Sequence, residues 1–131
     1  MTKAVIFASK LGKTRKTATH IAHSLGADLF DLKKQTIIDI GEYDHIIFGT
    51  GITAGKPSGA VVKFIDEHKK ELASKRRSLF ITCVMDGENG TSQCERVSKT
   101  LDIADSIFFP GKRNKDGCSE IVDKYIATLK S

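Results

Sequence analysis

Apolar residues along the chain form two kinds of pattern. Short runs rich in apolar residues, bounded by polar or glycine-containing segments, stand at residues 3–8, 28–32, 45–50, 78–84 and 106–109, and the third of them is the most continuous. Between most of them, apolar positions recur every three or four residues, over about 14–25, 57–72, 92–101 and 118–130. The first pattern predicts strands and the second predicts amphipathic helices, with Gly26 ending the first helix.

Strands and helices therefore alternate along the whole chain, and only the connection between the second and third strands is too short for more than about one helical turn. This order predicts one α/β domain over residues 1–131, with a parallel sheet covered by helices on both faces. Ligands of such sheets bind beyond the carboxyl ends of the strands, where the strand order reverses. The segments predicted to lie there are residues 9–14, 50–56 and 85–90.

Composition narrows the function classes. Of 131 residues, 40% are hydrophobic and 28% charged, and no apolar run approaches the roughly 20 residues of a membrane span or resembles a secretory signal, so we expect a cytoplasmic protein. The three cysteines form no CxxC pair, so no metal site is indicated. The net charge is +5, but the basic residues are scattered and aromatic residues are only 7%, which argues against nucleic-acid binding.

The junction between the first strand and the first helix contains several small and hydroxylated residues that could bind a ligand. It contains Ser9, Gly12 and Thr14 between the apolar run and the helical pattern. A helix that begins there presents unpaired N–H groups and the positive end of its dipole, and the hydroxyls add further donors. The junction therefore predicts a phosphate-binding site.

Three nucleotide-binding motifs nearly fit the chain and fail. A Walker A loop needs a glycine five residues before Gly12, and that position is Phe7. A dinucleotide fingerprint matches Gly49-x-Gly51-x-x-Ala54, but on the third strand and with no acidic strand end about 20 residues later. A phosphorelay receiver domain would place acidic residues after the first strand and an aspartate at Thr50, and the chain has neither.

A fourth pattern fits throughout. The run Val5-Ile6-Phe7-x-Ser9-x-x-Gly12-x-Thr14-x-x-x-Ala18-x-x-Ile21 resembles the flavodoxin signature at every specified position. The resemblance implies a flavodoxin-like three-layer sandwich, with a five-stranded parallel sheet of order 2-1-3-4-5 and FMN at the switch point.

The same resemblance implies a set of cofactor contacts. The residues implied around the phosphate are Ser9, Lys10, Leu11, Gly12, Lys13 and Thr14. The residues implied around the isoalloxazine ring are Thr50, Gly51, Ile52, Thr53, Ala54, Gly55, Cys83, Val84, Met85, Asp86, Gly87 and Asn89. Gly51 and Gly55 would let a peptide flip to face flavin N5, and no catalytic general base stands out.

The chain also departs from the flavodoxin pattern. It has no tryptophan to stack on the ring, which leaves Ile52 and Met85 as the expected apolar neighbours. It is basic, whereas flavodoxins that carry electrons are usually acidic. Cations fall near the predicted strand ends, either as a positive rim that attracts anionic partners or as ordinary solvated side chains: Lys10, Lys13, Arg15, Lys16, Lys56, Lys112 and Arg113.

These patterns support two main hypotheses. The first is an FMN-binding electron carrier that works between redox partner proteins, including acidic ones. The second is a small FMN-dependent oxidoreductase acting on an anionic substrate or quinone, because residues 108–112 resemble the branch of menaquinone-linked protoporphyrinogen oxidase. A cofactor-free binding module is a third alternative. His20 and His23 lie three residues apart without an evident third metal ligand, and we expect them to be surface residues.

Overall fold

The computed structural model describes residues 2–8, 12–35, 37–53, 56–83, 95–101, 103, 105–110 and 120–130. The strands are β1 (Lys3–Ala8), β2 (Asp28–Asp31), β3 (His45–Thr53), β4 (Lys56–Pro57), β5 (Arg76–Cys83) and β6 (Ser106–Pro110). The helices are α1 (Gly12–Leu25), α2 (Gly59–Glu67), α3 (Lys69–Leu72), α4, which contains residues 95–101, and α5 (Glu120–Lys130). In this part of the chain, no helix is both long enough and apolar enough to cross a membrane.

Five strands form one parallel sheet in the order β2-β1-β3-β5-β6. In terms of these five strands the order is 2-1-3-4-5, which confirms the predicted fold class. The two-residue strand β4 pairs with the end of β3 in the antiparallel direction and lies outside this series. Two strands that follow one another in the chain, β2 and β3, therefore lie on opposite sides of β1.

The alternation of side chains along the strands divides the core into two layers. Ile6, Phe48 and Leu79 face one layer, which is covered by α2 and α4. Phe7 and Phe80 face the other layer, which is covered by α1 and α5. Because both faces are buried, the central strands are apolar at consecutive positions, and this is why they are visible in the sequence as continuous runs.

Helix α1 ends where the sequence predicts. Gly26 has a φ of +64°, and the Ala27 N–H donates to the Ala22 carbonyl oxygen at 2.9 Å, which closes the last turn. This pattern is the Schellman motif, in which glycine adopts the left-handed conformation without steric cost. The start of α1 differs slightly, since the helix begins at Gly12 and not at about Thr14.

The segment after β3 was predicted wrongly as a loop that leads into a helix at Pro57. Strand β3 continues to Thr53, and Ile52 and Thr53 pair with Pro57 and Lys56 of β4. Proline lacks the N–H that an interior strand needs, but a short edge strand tolerates it. Helix α2 therefore begins at Gly59.

The helix predicted up to residue 72 is two helices. Helix α2 ends at Glu67, and His68, with a φ of −113°, separates it from α3. The His68 ring stacks on Phe64 with the centroids 4.1 Å apart, and its Nδ1 lies 2.9 Å from the Phe64 carbonyl oxygen. The His68 side chain thereby lies against the C-terminal end of α2. His68 separates two helices and is not part of one continuous apolar stripe, as the sequence pattern suggested.

A buried polar chain crosses the amino ends of the strands. His45 Nε2 lies 2.8 Å from Ser78 Oγ, and the Ser78 hydroxyl donates to Asp105 Oδ2 at 2.7 Å. His45 and Ser78 are fully buried. Since the Ser78 proton goes to Asp105, Ser78 Oγ accepts from His45, which places the ring proton on Nε2. Burial, together with the nearby Arg76 and Lys3 charges, lowers the pKa of His45 to about 4 against the opposing effect of Asp105.

Gly49 is required by packing across the sheet. It pairs with Phe80 of β5, and a Cβ atom added at Gly49 would lie 2.2 Å from Phe80 Cζ. The aromatic ring therefore occupies the space that any other side chain at residue 49 would need. This contact accounts for the first glycine of the dinucleotide-like motif without any ligand.

Gly49→Ala should lower the free energy of unfolding by about 1–3 kcal/mol, because the new methyl group overlaps the Phe80 ring. Urea denaturation measures the change. Phe80→Leu in the same chain should remove part of this cost, so that the double variant loses less than the sum of the two single variants. Additive losses would contradict the assigned contact.

The buried imidazole of His45 should make the protein less stable in weak acid. Between pH 6.5 and about 4 the unfolded chain binds a proton that the folded chain excludes, so stability falls as the pH is lowered through this window. The loss amounts to about 3 kcal/mol.

Urea denaturation at several pH values tests this prediction with two variants. His45→Gln should flatten the pH dependence in that window, whatever its effect on stability at neutral pH. His23→Gln, which removes an exposed histidine from α1, should leave the pH dependence intact. The same slope in His45→Gln as in the unmodified protein would refute the assignment.

Candidate functional site

The carboxyl ends of the parallel strands form the candidate site, which we call the carboxyl edge. It contains Ala8 at the end of β1, Thr50 and Gly51 in β3, Thr82 in β5 and the first turn of α1, from Gly12 to Thr14. Strand β1 pairs with β2 on one side and with β3 on the other, so the strand order reverses here. A crevice at such a reversal is where open α/β sheets bind their ligands.

The start of α1 has the general features that favour an anion at a helix N-terminus. The backbone N–H groups of the first turn have no acceptors within the helix, and the helix dipole adds positive potential. No acidic residue occupies that turn. Of the residues predicted to surround a phosphate, Gly12, Lys13 and Thr14 lie in the helix itself, while Ser9, Lys10 and Leu11 lie outside the described residues.

Thr14 has a partner that the sequence did not indicate. Its hydroxyl lies 2.7 Å from the hydroxyl of Thr82, and Thr14 is fully buried. Thr82 follows Phe80 by two residues in β5, so its side chain points to the face of the sheet that α1 covers. This alternation was the signal available in the sequence, but Thr82 fell just before the segment singled out as ring-binding.

Thr50 joins the end of β3 to the start of α2. Its hydroxyl donates to the Gly51 carbonyl oxygen at 2.9 Å and accepts the Ser58 N–H at 2.7 Å. The side chain is fully buried. Its observed hydrogen bonds are therefore structural: they hold the hairpin of β3 and β4 against the beginning of α2. A contact between Thr50 and a cofactor stays a prediction.

The other residues predicted around a flavin ring divide into two groups. Gly51, Ile52 and Thr53 continue β3, and Cys83 ends β5, so all four belong to strands that reach the carboxyl edge. The remaining predicted residues lie outside the described part of the chain: Ala54, Gly55, Val84, Met85, Asp86, Gly87 and Asn89.

The positive charge of the rim predicted for this edge is smaller than the number of basic residues there suggests. Arg15 donates to Asp31 Oδ2 at 2.8 Å, so the charge at the end of β2 neutralises it. Burial alone would raise the pKa of Asp31, but hydrogen bonds from Arg15 and the Lys33 backbone N–H outweigh it and lower that pKa. Lys16 is exposed near the start of α1. Among the other predicted rim residues, Lys10, Lys112 and Arg113 lie outside the described residues.

The histidines do not contribute chemistry to the carboxyl edge. His20 Nε2 lies 2.9 Å from Asp123 Oδ1, which links α1 to α5 at the surface. His23 is exposed, as expected. His45 is buried at the opposite end of the sheet. Among the described residues, no group of three or more potential metal ligands comes together.

Fold and site together define an open α/β protein with a helix N-terminus at the reversal of strand order. The model of the flavodoxin domain family matches residues 4–111 of the chain. The chain therefore belongs to the flavodoxin domain family, as its first strand and helix predict.

The chain is also similar to individual proteins. An uncharacterised protein of Methanocaldococcus jannaschii is 38% identical over 69 residues, which are 53% of this chain and 45% of that protein. The matched segment thus spans about half of the length of that relative. Oxidised flavodoxin 1 from Bacillus cereus superimposes with a TM-score of 0.65 at 18% identity, covering 97% of this chain and 94% of that one.

A flavoprotein from Lactobacillus acidophilus, solved in complex with FMN, gives a TM-score of 0.62 at 16% identity. The superposition covers 82% of this chain and 90% of that one. At these identities the two solved structures show a common fold.

Thr50→Val should lower the free energy of unfolding by about 1–3 kcal/mol, because it leaves the partly buried Ser58 N–H and Gly51 carbonyl without their partner. Urea denaturation measures the loss. Thr50→Ser keeps the hydroxyl and should retain most of the stability. A loss of stability in Thr50→Ser with none in Thr50→Val would show that the methyl group of Thr50, and not its hydroxyl, stabilises the junction.

Proposed function

We propose that this protein binds FMN at the carboxyl edge and carries electrons between redox partner proteins. The observation that supports the proposal most directly is the position of α1, whose N-terminus lies at the reversal of strand order in a chain of the flavodoxin domain family. The FMN complex of the structurally similar Lactobacillus acidophilus flavoprotein agrees with this choice of cofactor.

The described residues fit the phosphate end of FMN. A phosphate needs several hydrogen-bond donors and a positive or neutral surrounding, and the first turn of α1 offers backbone N–H groups and contains no acidic residue. The hydroxyls of Thr14 and Thr82 lie at the same turn. These groups would hold and orient the cofactor by its phosphate, and the segments after β3 and β5 would enclose its ring.

The flavin itself would supply the redox chemistry, and the protein would set its position and its reduction potentials. His45, the only histidine that begins a strand of the sheet, is buried at the opposite end and cannot act as an acid or base at the carboxyl edge. This placement removes His45 as an acid or base for the alternative, a small FMN-dependent oxidoreductase that acts on an anionic substrate or quinone.

Titration of the apoprotein with FMN, followed by flavin absorbance, tests the cofactor assignment. Stepwise reduction of the loaded protein then distinguishes the two functions. Reduction in two separate one-electron steps, without turnover of small substrates, supports a carrier. Reduction in a single two-electron step with turnover of an anionic substrate supports the oxidoreductase, and a protein that binds no flavin is a binding module of another kind.

Lys16→Glu should weaken FMN binding about three- to tenfold at low salt, because it replaces an exposed cation near the N-terminus of α1 by an anion. The difference should shrink as the salt concentration rises. Lys70→Glu is the matched control, since it makes the same charge change on α3, which leads into the amino end of β5. An equal effect of both substitutions would place the phosphate elsewhere.

A further inference from the structure

The hydrogen bond between Thr14 and Thr82 leaves one donor unused. Each hydroxyl carries one proton, and the 2.7 Å separation of the two oxygens is typical of a single O–H···O hydrogen bond. One hydroxyl must donate and the other must accept, so the accepting hydroxyl keeps a proton. Within the described residues, neither side chain has another hydrogen bond.

The position of Thr14 in α1 explains why its hydroxyl does not bond to a carbonyl within the helix. A threonine inside a helix commonly donates to the carbonyl four residues earlier, as Thr19 does to Arg15 at 2.7 Å. Thr14 is the third residue of α1, so that carbonyl would lie before the helix begins. Its hydroxyl is instead oriented by a residue 68 positions later in the chain.

The pair lies where an anion would collect. Thr14 belongs to the turn whose N–H groups point out of the helix, and Thr82 precedes the last residue of β5. Thr82 is only partly buried, whereas Thr14 is fully buried, so the pair reaches from the core to the carboxyl edge. A phosphate oxygen accepts hydrogen bonds but donates none when ionised, and it therefore suits a pair of hydroxyls with one spare proton.

We propose that Thr82 is a positioning residue, whose hydroxyl fixes that of Thr14 so that the remaining proton of the pair is donated to a phosphate oxygen of the cofactor. This inference rests on the proposed binding of FMN. It assigns to β5 a share in holding the phosphate, in addition to the backbone of α1.

Riboflavin provides the decisive comparison, because it has the same ring and ribityl chain as FMN but no phosphate. Thr82→Val keeps the shape of the side chain and removes its hydroxyl. It should raise the dissociation constant of FMN about tenfold and leave that of riboflavin within about twofold of its original value. Thr82→Ser keeps the hydroxyl and should retain FMN affinity. Thr82→Ala also removes the hydroxyl, so it should weaken FMN binding in the same way even if the valine side chain packs badly.

The double variant Thr14→Val with Thr82→Val tests whether the two hydroxyls act as one unit. It should lose no more FMN affinity than Thr14→Val alone, because either substitution already breaks the pair. Thr100→Val is the matched control: it also removes a threonine hydroxyl, one that donates to the Arg96 carbonyl oxygen, but from α4 on the other side of the sheet. It should change neither dissociation constant.

Several outcomes would overturn the inference. These are unchanged FMN affinity in Thr82→Val, equal losses for FMN and riboflavin, failure of serine to restore affinity, and additive losses in the double variant. The proposed function fails in a distinguishable way, since the unmodified protein would then bind no FMN at all.

Discussion

The parallel pairing of β1 on both of its sides is the constraint on which the rest of this structure depends. Strands β2 and β3 flank β1, yet they follow one another in the chain. The chain must therefore leave β1 through α1 on one face and later cross to the far side of β1. At the carboxyl ends, the connections diverge and leave a crevice between them. The helix that begins in this crevice is α1, whose N-terminus is electrostatically suited to an anion.

Polar residues have opposite roles at the amino ends and at the carboxyl ends of the strands. At the amino ends, polar groups bind one another or backbone carbonyls: His45 pairs with Ser78, and Lys75 Nζ donates to the Tyr43 carbonyl oxygen at 2.6 Å. Arg76 donates to the Thr128 carbonyl oxygen in the last turns of α5. Lys75 and Arg76, at the start of β5, thus connect neighbouring elements of the fold. At the carboxyl ends, the helix N–H groups and one hydroxyl proton keep donor capacity, which is the condition for binding a ligand.

Sequence patterns predict the sheet well because its central strands are buried on both faces. A run such as Ile46 to Phe48 is too short for a helix and too apolar for a surface, so its identity as a strand is determined locally. The end of α1 is also determined locally, because the positive φ at residue 26 favours glycine. The prediction of a loop from Thr50 to Pro57 was wrong. Glycines and a proline are typical of loops, but pairing with β5 and β4 extends β3 to Thr53. The hydrogen bond between Thr14 and Thr82 joins residues far apart in the chain, and the alternation along β5 indicates only the face on which Thr82 lies, not its partner.

Short-range and long-range interactions have different roles at the carboxyl edge. Neutral donors, such as the N–H groups of α1 and the threonine hydroxyls, act over hydrogen-bond distances and fix the geometry of a ligand. Cations act over about 10 Å and are screened by salt, so they influence how fast an anion or acidic partner arrives more than how it is held. The pairing of Arg15 with Asp31 removes one cation from this second role. The net charge of +5 is therefore a poor guide to the affinity of the site, which depends on donors that the charge count does not include.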